Sequence, residues 1–88
     1  MKDFINEDFE KLKELFYQKE EEVRNAFDEM GQKYESCRQF SENVAKKNHW
    51  QLNAEQEAEE ELLLENYKKS VDRWEKANTE LSTFLRKI

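Results

Sequence analysis

Every seventh residue from Phe9 to Val44 is apolar: Phe9, Phe16, Val23, Met30, Cys37 and Val44 form one unbroken column. Side chains that return to the same face every two helical turns describe a coiled-coil seam, which neither a strand of period two nor an irregular loop generates. Ile5, Leu12, Ala26 and Phe40 fill the alternate seam positions, and Lys19 and Lys33 are the only interruptions. In a chain that is 36% hydrophobic, six apolar residues in register is an uncommon accident. One glycine and no proline in 88 residues remove the turn signals of a sheet protein. A Rossmann or P-loop site needs several glycines where the backbone closes on phosphate, and only Gly31 is present. The chain is expected to be all-α.

A second column, Tyr67, Trp74, Leu81 and Ile88, organises the C-terminal part, flanked by Leu64, Val71, Ala77 and Leu85. Traced backwards it meets Glu60, Asn53 and Lys46, and Tyr67 follows Val44 by 23 residues, which is not a multiple of seven. One uninterrupted helix would bury charge, so the spacing predicts a break between residues 46 and 53. Lys46 and Lys47 suit the negative end of a helix, and Asn48 suits a left-handed C-terminal position. Asn53 with Gln56 three later makes an amide version of the capping box, and Glu55 and Glu57 then fall in a first turn whose dipole favours acids. The expected layout is a single helical domain over 1–88, with helix one at about 4–47, a turn at 48–53 and helix two at about 54–87. Rods of roughly 65 and 50 Å follow. Gly31 costs about 1 kcal/mol inside a helix, which gives the alternative of a three-helix bundle broken near Gly31. The Phe9–Val44 column crosses the glycine without a phase change, so the continuous helix is preferred.

If the chain reverses near residue 50, Phe27 faces Trp74, Tyr34 faces Tyr67, Cys37 meets Leu63 and Phe16 meets Phe84 and Leu85. Ile88 then stands near Leu12, leaving Phe4, Ile5 and Phe9 without a partner in their own chain. Leu62, Leu63 and Leu64 together span about 200° of a helix, as do Leu15, Phe16 and Tyr17, more than one neighbouring helix covers. Eleven aromatic residues, at about 150–250 Å² each, exceed what a lone hairpin hides. The expectation is a long antiparallel hairpin that self-associates as a homodimeric four-helix bundle or docks on another helical protein. Phe4, Ile5, Phe9 and Leu12 would form one partner-binding patch, and Leu62, Leu63 and Leu64 another. Trp50, beside the turn, is read first as a plug over the bundle end and second as an exposed anchor for a partner.

Other function classes fare worse. His49 as general base with Cys37 as nucleophile would have to act across about 18 Å of helix. One Cys and one His do not make a four-ligand zinc site, and the Glu-x-x-His pattern of di-iron bundles is missing from the sequence. The reading is therefore a non-enzymatic chain with no catalytic, cofactor or metal residues and no small-molecule substrate. A net charge of −6, most of it in residues 1–44, opposes a nucleic-acid partner. No apolar run reaches a bilayer's thickness and the first residues lack a signal peptide's apolar region, so no membrane partner is expected and the default compartment is the cytoplasm. Export of a folded helical protein would leave no such mark.

The glutamates at 55, 57, 59, 60, 61 and 65 suggest an alternative, a small acidic inhibitor that mimics nucleic acid, although the net charge is mild for that role. Lys68, Lys69, Arg73 and Lys76 are expected to pair with these acids or with helix one. Lys19 and Lys33 either lay their stems over the core or specify register. A seam-driven complex should survive 0.5 M salt, where exposed charges are screened within a few ångströms. A mimic's complex should not. Two helices with a tryptophan at the turn, in His49-Trp50-Gln51-Leu52, are similar in outline to the WXG100 family of small exported helical hairpins. Leu52 stands where that family has glycine. The resemblance implies a second alternative, a secretion-associated hairpin.

Overall fold

A computed structural model describes residues 2–87, with side chains from Asp8 onward. Its elements are a long helix α1 (Lys2–Phe40), a short π-helical segment (Ser41–Ala45) and a second long helix α2 (Ala54–Lys87). The two helices lie antiparallel in a hairpin 70 Å long and 16 Å across, with a radius of gyration of 20.2 Å. A compact chain of this length would have a radius near 12 Å. Elongation follows from the sequence, since two unbroken periodic segments with one reversal have no third element to fold against.

Gly31 lies inside the continuous α1, so the three-helix alternative with a break near Gly31 is overturned. The seam packs on both sides of the glycine: Ala26 is fully buried, Met30 and Lys33 are half-buried, and Phe40 is buried. Those contacts offset a propensity cost of about 1 kcal/mol.

The reversal differs in detail from the sequence reading. α-Helical bonding ends at Phe40, and the chain widens into the π segment, where Lys46 N–H donates to Ser41 O five residues back at 2.8 Å. Trp50 N–H then donates to Ala45 O at 2.7 Å and His49 N–H to Lys46 O at 3.2 Å, the paired bonds of a Schellman turn. The left-handed residues are His49 (φ 53°) and Trp50 (φ 63°), not Asn48. The bond pattern requires this: it places Asn48 at the last helical carbonyl, so the left-handed position falls one residue later. The entry to α2 is the reciprocal capping box. Gln56 N–H donates to Asn53 Oδ1 at 2.8 Å, and Asn53 N–H donates to Gln56 Oε1 at 3.1 Å.

Rings fix the register. Phe27 meets Trp74 with centroids 6.3 Å apart, and Tyr34 meets Tyr67 at 5.9 Å, both tilted by 55°. Cys37 Sγ–H donates to Leu63 O at 3.4 Å. Residue i of α1 is thus level with about 101 − i of α2. The fully enclosed positions are small: Ala26, Ala45, Ala77 and Ser70, with Phe40 beside them. Ser70 satisfies its hydroxyl on Tyr67 O at 2.6 Å. Among the described residues no large side chain is completely buried, so the helices close on alanine and serine and leave their larger residues at the flanks.

Candidate partner-binding faces

The seam has two flanks of different chemistry. On one, Glu22 and Glu29 stand seven apart on α1, and Arg73 of α2 reaches between them. Its Nη2 and Nε donate to Glu22 Oε1 at 2.9 and 3.1 Å, and its Nη1 donates to Glu29 Oε2. The two carboxylates hold the Arg73 pKa above its ordinary value, the bond to Glu29 contributing most and that to Glu22 next. This clamp is the cross-helix pairing anticipated for the basic cluster, and Lys69 pairs with Glu65 at 3.3 Å along α2 itself.

Phe27 lies five residues beyond Glu22, about 140° round the helix, and opens the opposite flank. Tyr34 is one heptad further on. Their rings close on Trp74 and Tyr67, yet Phe27 remains 54% exposed and Tyr34 55% exposed. Leu64, 52% exposed, stands three residues before Tyr67, and Leu85, also exposed, stands four after Leu81. A shallow groove lined by Tyr34, Cys37, Phe40, Leu63 and Leu64 continues this face towards the π segment. The result is an aromatic ladder about two heptads long, flanked by Leu64 and Leu85, with Arg38, Glu42 and Glu60 also lining the groove at its turn end.

The sequence-predicted patches are placed as follows. The side chains of Phe4 and Ile5 lie outside the described residues. Phe9 is 63% exposed and Leu12 is exposed, and the register puts both beyond the described end of α2. Leu62 and Leu64 are exposed, but about 200° of helix separates them, so they serve different surfaces. Leu63 turns inward: it is half-buried and its carbonyl accepts from Cys37, which makes it a hairpin seam residue. The leucine triplet as one patch is therefore corrected. Trp50 is 65% exposed, which does not fit a plug over the bundle end; with Leu52 it borders a shallow hollow beside Glu57, Glu60 and Glu61 of α2. Lys19 Nζ sits 5.7 Å from the centre of the Phe84 ring, a cation–π contact that lays its stem over the seam.

Phe27, Tyr34 and Leu85 were absent from the sequence-predicted patches. Phe27 and Tyr34 follow the seam residues Ala26 and Lys33 by one position, and that one-residue offset, repeated after seven, was the available signal. Cys37 is engaged with Leu63, and His49 is exposed in the turn. Among the described residues no three His, Cys, Asp or Glu side chains converge in a way that could hold a metal ion. Among the described residues no helix is long and apolar enough to cross a membrane. Comparison with known protein families, curated proteins and solved structures finds no match to this chain.

Proposed function

We propose that this chain is a non-enzymatic interaction module, a helical hairpin that assembles with itself or with another helical protein through its aromatic face. The observation that carries the reading is the asymmetry of the flanks. One is closed by the Arg73 clamp, while the other holds Phe27, Tyr34 and Leu64 about half exposed beside Tyr67 and Trp74. A contiguous apolar stripe of this kind, rimmed by charge, is characteristic of interaction sites, and scattered single hydrophobes are not. Nucleic-acid mimicry, which would act through the glutamates of 55–65, is less favoured, because a net charge of −6 is mild for that role and Glu65 already pairs with Lys69 along α2.

The reading is tested by placing a photocrosslinking residue at Tyr34 on the aromatic face and at Glu80 beside the Arg73 clamp, in cells that make the protein. Adducts from position 34 and few from position 80, persisting when lysed cells are irradiated in 0.5 M salt, are expected. Equal labelling from the two faces, or none from position 34, would refute it.

A further inference from the structure

Resting on that reading, we propose that the occupant of the aromatic face is a second copy of this chain, laid face to face with both turns at the same end. In this arrangement α1 of each copy packs antiparallel against α2 of the other, and all four helices have only antiparallel neighbours, the geometry of a four-helix bundle.

The charges bordering the face select the occupant and its direction. Arg24 stands three residues before Phe27 and Arg38 four after Tyr34, so both edge the stripe on α1. On α2, Glu61 stands three before Leu64 and Glu75 four after Val71, edging the stripe there with Lys68 midway between them, near the height of Gly31, which has no side chain. The ring register puts Arg38 within two residues of the height of Glu61, and Arg24 within two of Glu75. Two residues are about 3 Å of rise, well within the reach of these side chains. A two-fold axis along the hairpin preserves height and exchanges α1 with α2, so each arginine of one copy meets a glutamate of the other. The remaining symmetric choice, turns at opposite ends, lays α1 on α1 and α2 on α2. Centred on Gly31, which is level with Ser70, it sets Arg24 against Arg38 on one pair of helices and Glu75 at the height of Glu65 on the other. Like charges facing one another argue against it.

Size and shape agree. The paired part of the hairpin, about 50 Å long and 16 Å wide, offers a face of roughly 800 Å², the area each partner contributes to a standard interface. Tyr17, exposed and level with position 84, meets the exposed Leu85 of the other copy. Gly31, with open space above its Cα, stands level with the neighbourhood of Lys68 and Val71 and lets the facing helix approach. Arg24 gives one of its N–H groups to Glu20 and Arg38 gives three to Glu35 and Glu42, and a guanidinium has five to offer.

The experiment uses the full chain carrying Cys37→Ser and Lys47→Cys, with one spin label per copy in the exposed turn, and reads the label-to-label distance by pulsed electron resonance alongside the sedimentation mass. A dimer with labels below about 30 Å apart is expected, since neighbouring bundle axes are about 10 Å apart. A dimer with labels about 50 Å apart or more, the separation for opposed turns, overturns the arrangement. As a second variant, Arg24→Glu should raise the dimer dissociation constant about fivefold, and adding Glu75→Arg should restore it. No change in either variant overturns the charge pairing. A monomer at every concentration overturns the second copy. If position 34 still gives face-specific adducts to another protein, the interaction reading stands without it, and if it gives none, both fall.

Discussion

The two flanks of this hairpin use the same heptad spacing for opposite ends. On the clamped flank, residues seven apart are Glu22 and Glu29, and the side chain that meets them is Arg73. On the aromatic flank, residues seven apart are Phe27 and Tyr34, and the side chains that meet them are Trp74 and Tyr67. The first contact is complete within one chain, because a guanidinium between two carboxylates remains content with water at its back. The second is incomplete, because a ring pair with half its surface in water retains the driving force for further burial. Opposite flanks of one seam thus end differently: one is closed by charge within the chain, and the other leaves its rings half in water.

Breaking the aromatic flank should have the largest effect. Phe27→Ser with Leu64→Ser is expected to weaken association at least 100-fold by sedimentation while far-ultraviolet dichroism stays helical, since central apolar anchors are worth about 2 kcal/mol or more each. Glu22→Gln with Glu29→Gln should change association less than about twofold. Next in size, Ala26→Leu should destabilise the hairpin by about 1–3 kcal/mol in urea unfolding, because the helices touch at a residue with no exposed surface. Gly31→Ala separates propensity from packing. Nothing lies within 4 Å of the added methyl group, so the variant should gain up to about 1 kcal/mol in stability measured at concentrations that hold the chain monomeric.

The smallest expected effect is electrostatic. The Arg38 guanidinium, hydrogen-bonded to Glu35, holds that carboxyl below its ordinary value of 4.5. A carboxyl depressed in the folded state contributes stability that is present above the unfolded value and lost as pH falls through the folded one. Glu35 should therefore titrate below 4.5 in an NMR titration, and Arg38→Ala should move its midpoint up towards that value.

Much of the hairpin was legible in the sequence because its signals are periodic or local. The ring pairs were predicted from a reversal near residue 50, since Phe27 and Tyr34 are spaced as Trp74 and Tyr67 are. The start of α2 was legible because Asn53 and Gln56 carry the two acceptors that the capping box needs. The π segment was not, because Ser41-Glu42-Asn43-Val44-Ala45 reads as ordinary helix, and its wider bonding, seen in the bond from Lys46 to Ser41, leaves no mark in the residue types. Nor was the left-handed pair, because Asn48 competes with His49 for the left-handed position and no local rule puts Trp50 at positive φ. Three consecutive leucines do not say which faces inward; the half-burial of Leu63 between the exposed Leu62 and Leu64 decides it. Exposure of the aromatic flank depends on how closely the helices approach through Ala26, Ser70 and Ala77, a tertiary quantity.

The extra residue accommodated between Ser41 and Ala45 makes the length of this stretch a setting, not a slack. Most surface reversals tolerate the loss or gain of a residue, because the chain on either side absorbs it. Removing one residue here would tighten the bulge into regular α-helix and swing everything downstream by about 100° about the α1 axis. The second rod would then settle against a different stripe of the first, and the oily ladder and the ionic clamp would be dismantled together by a single codon.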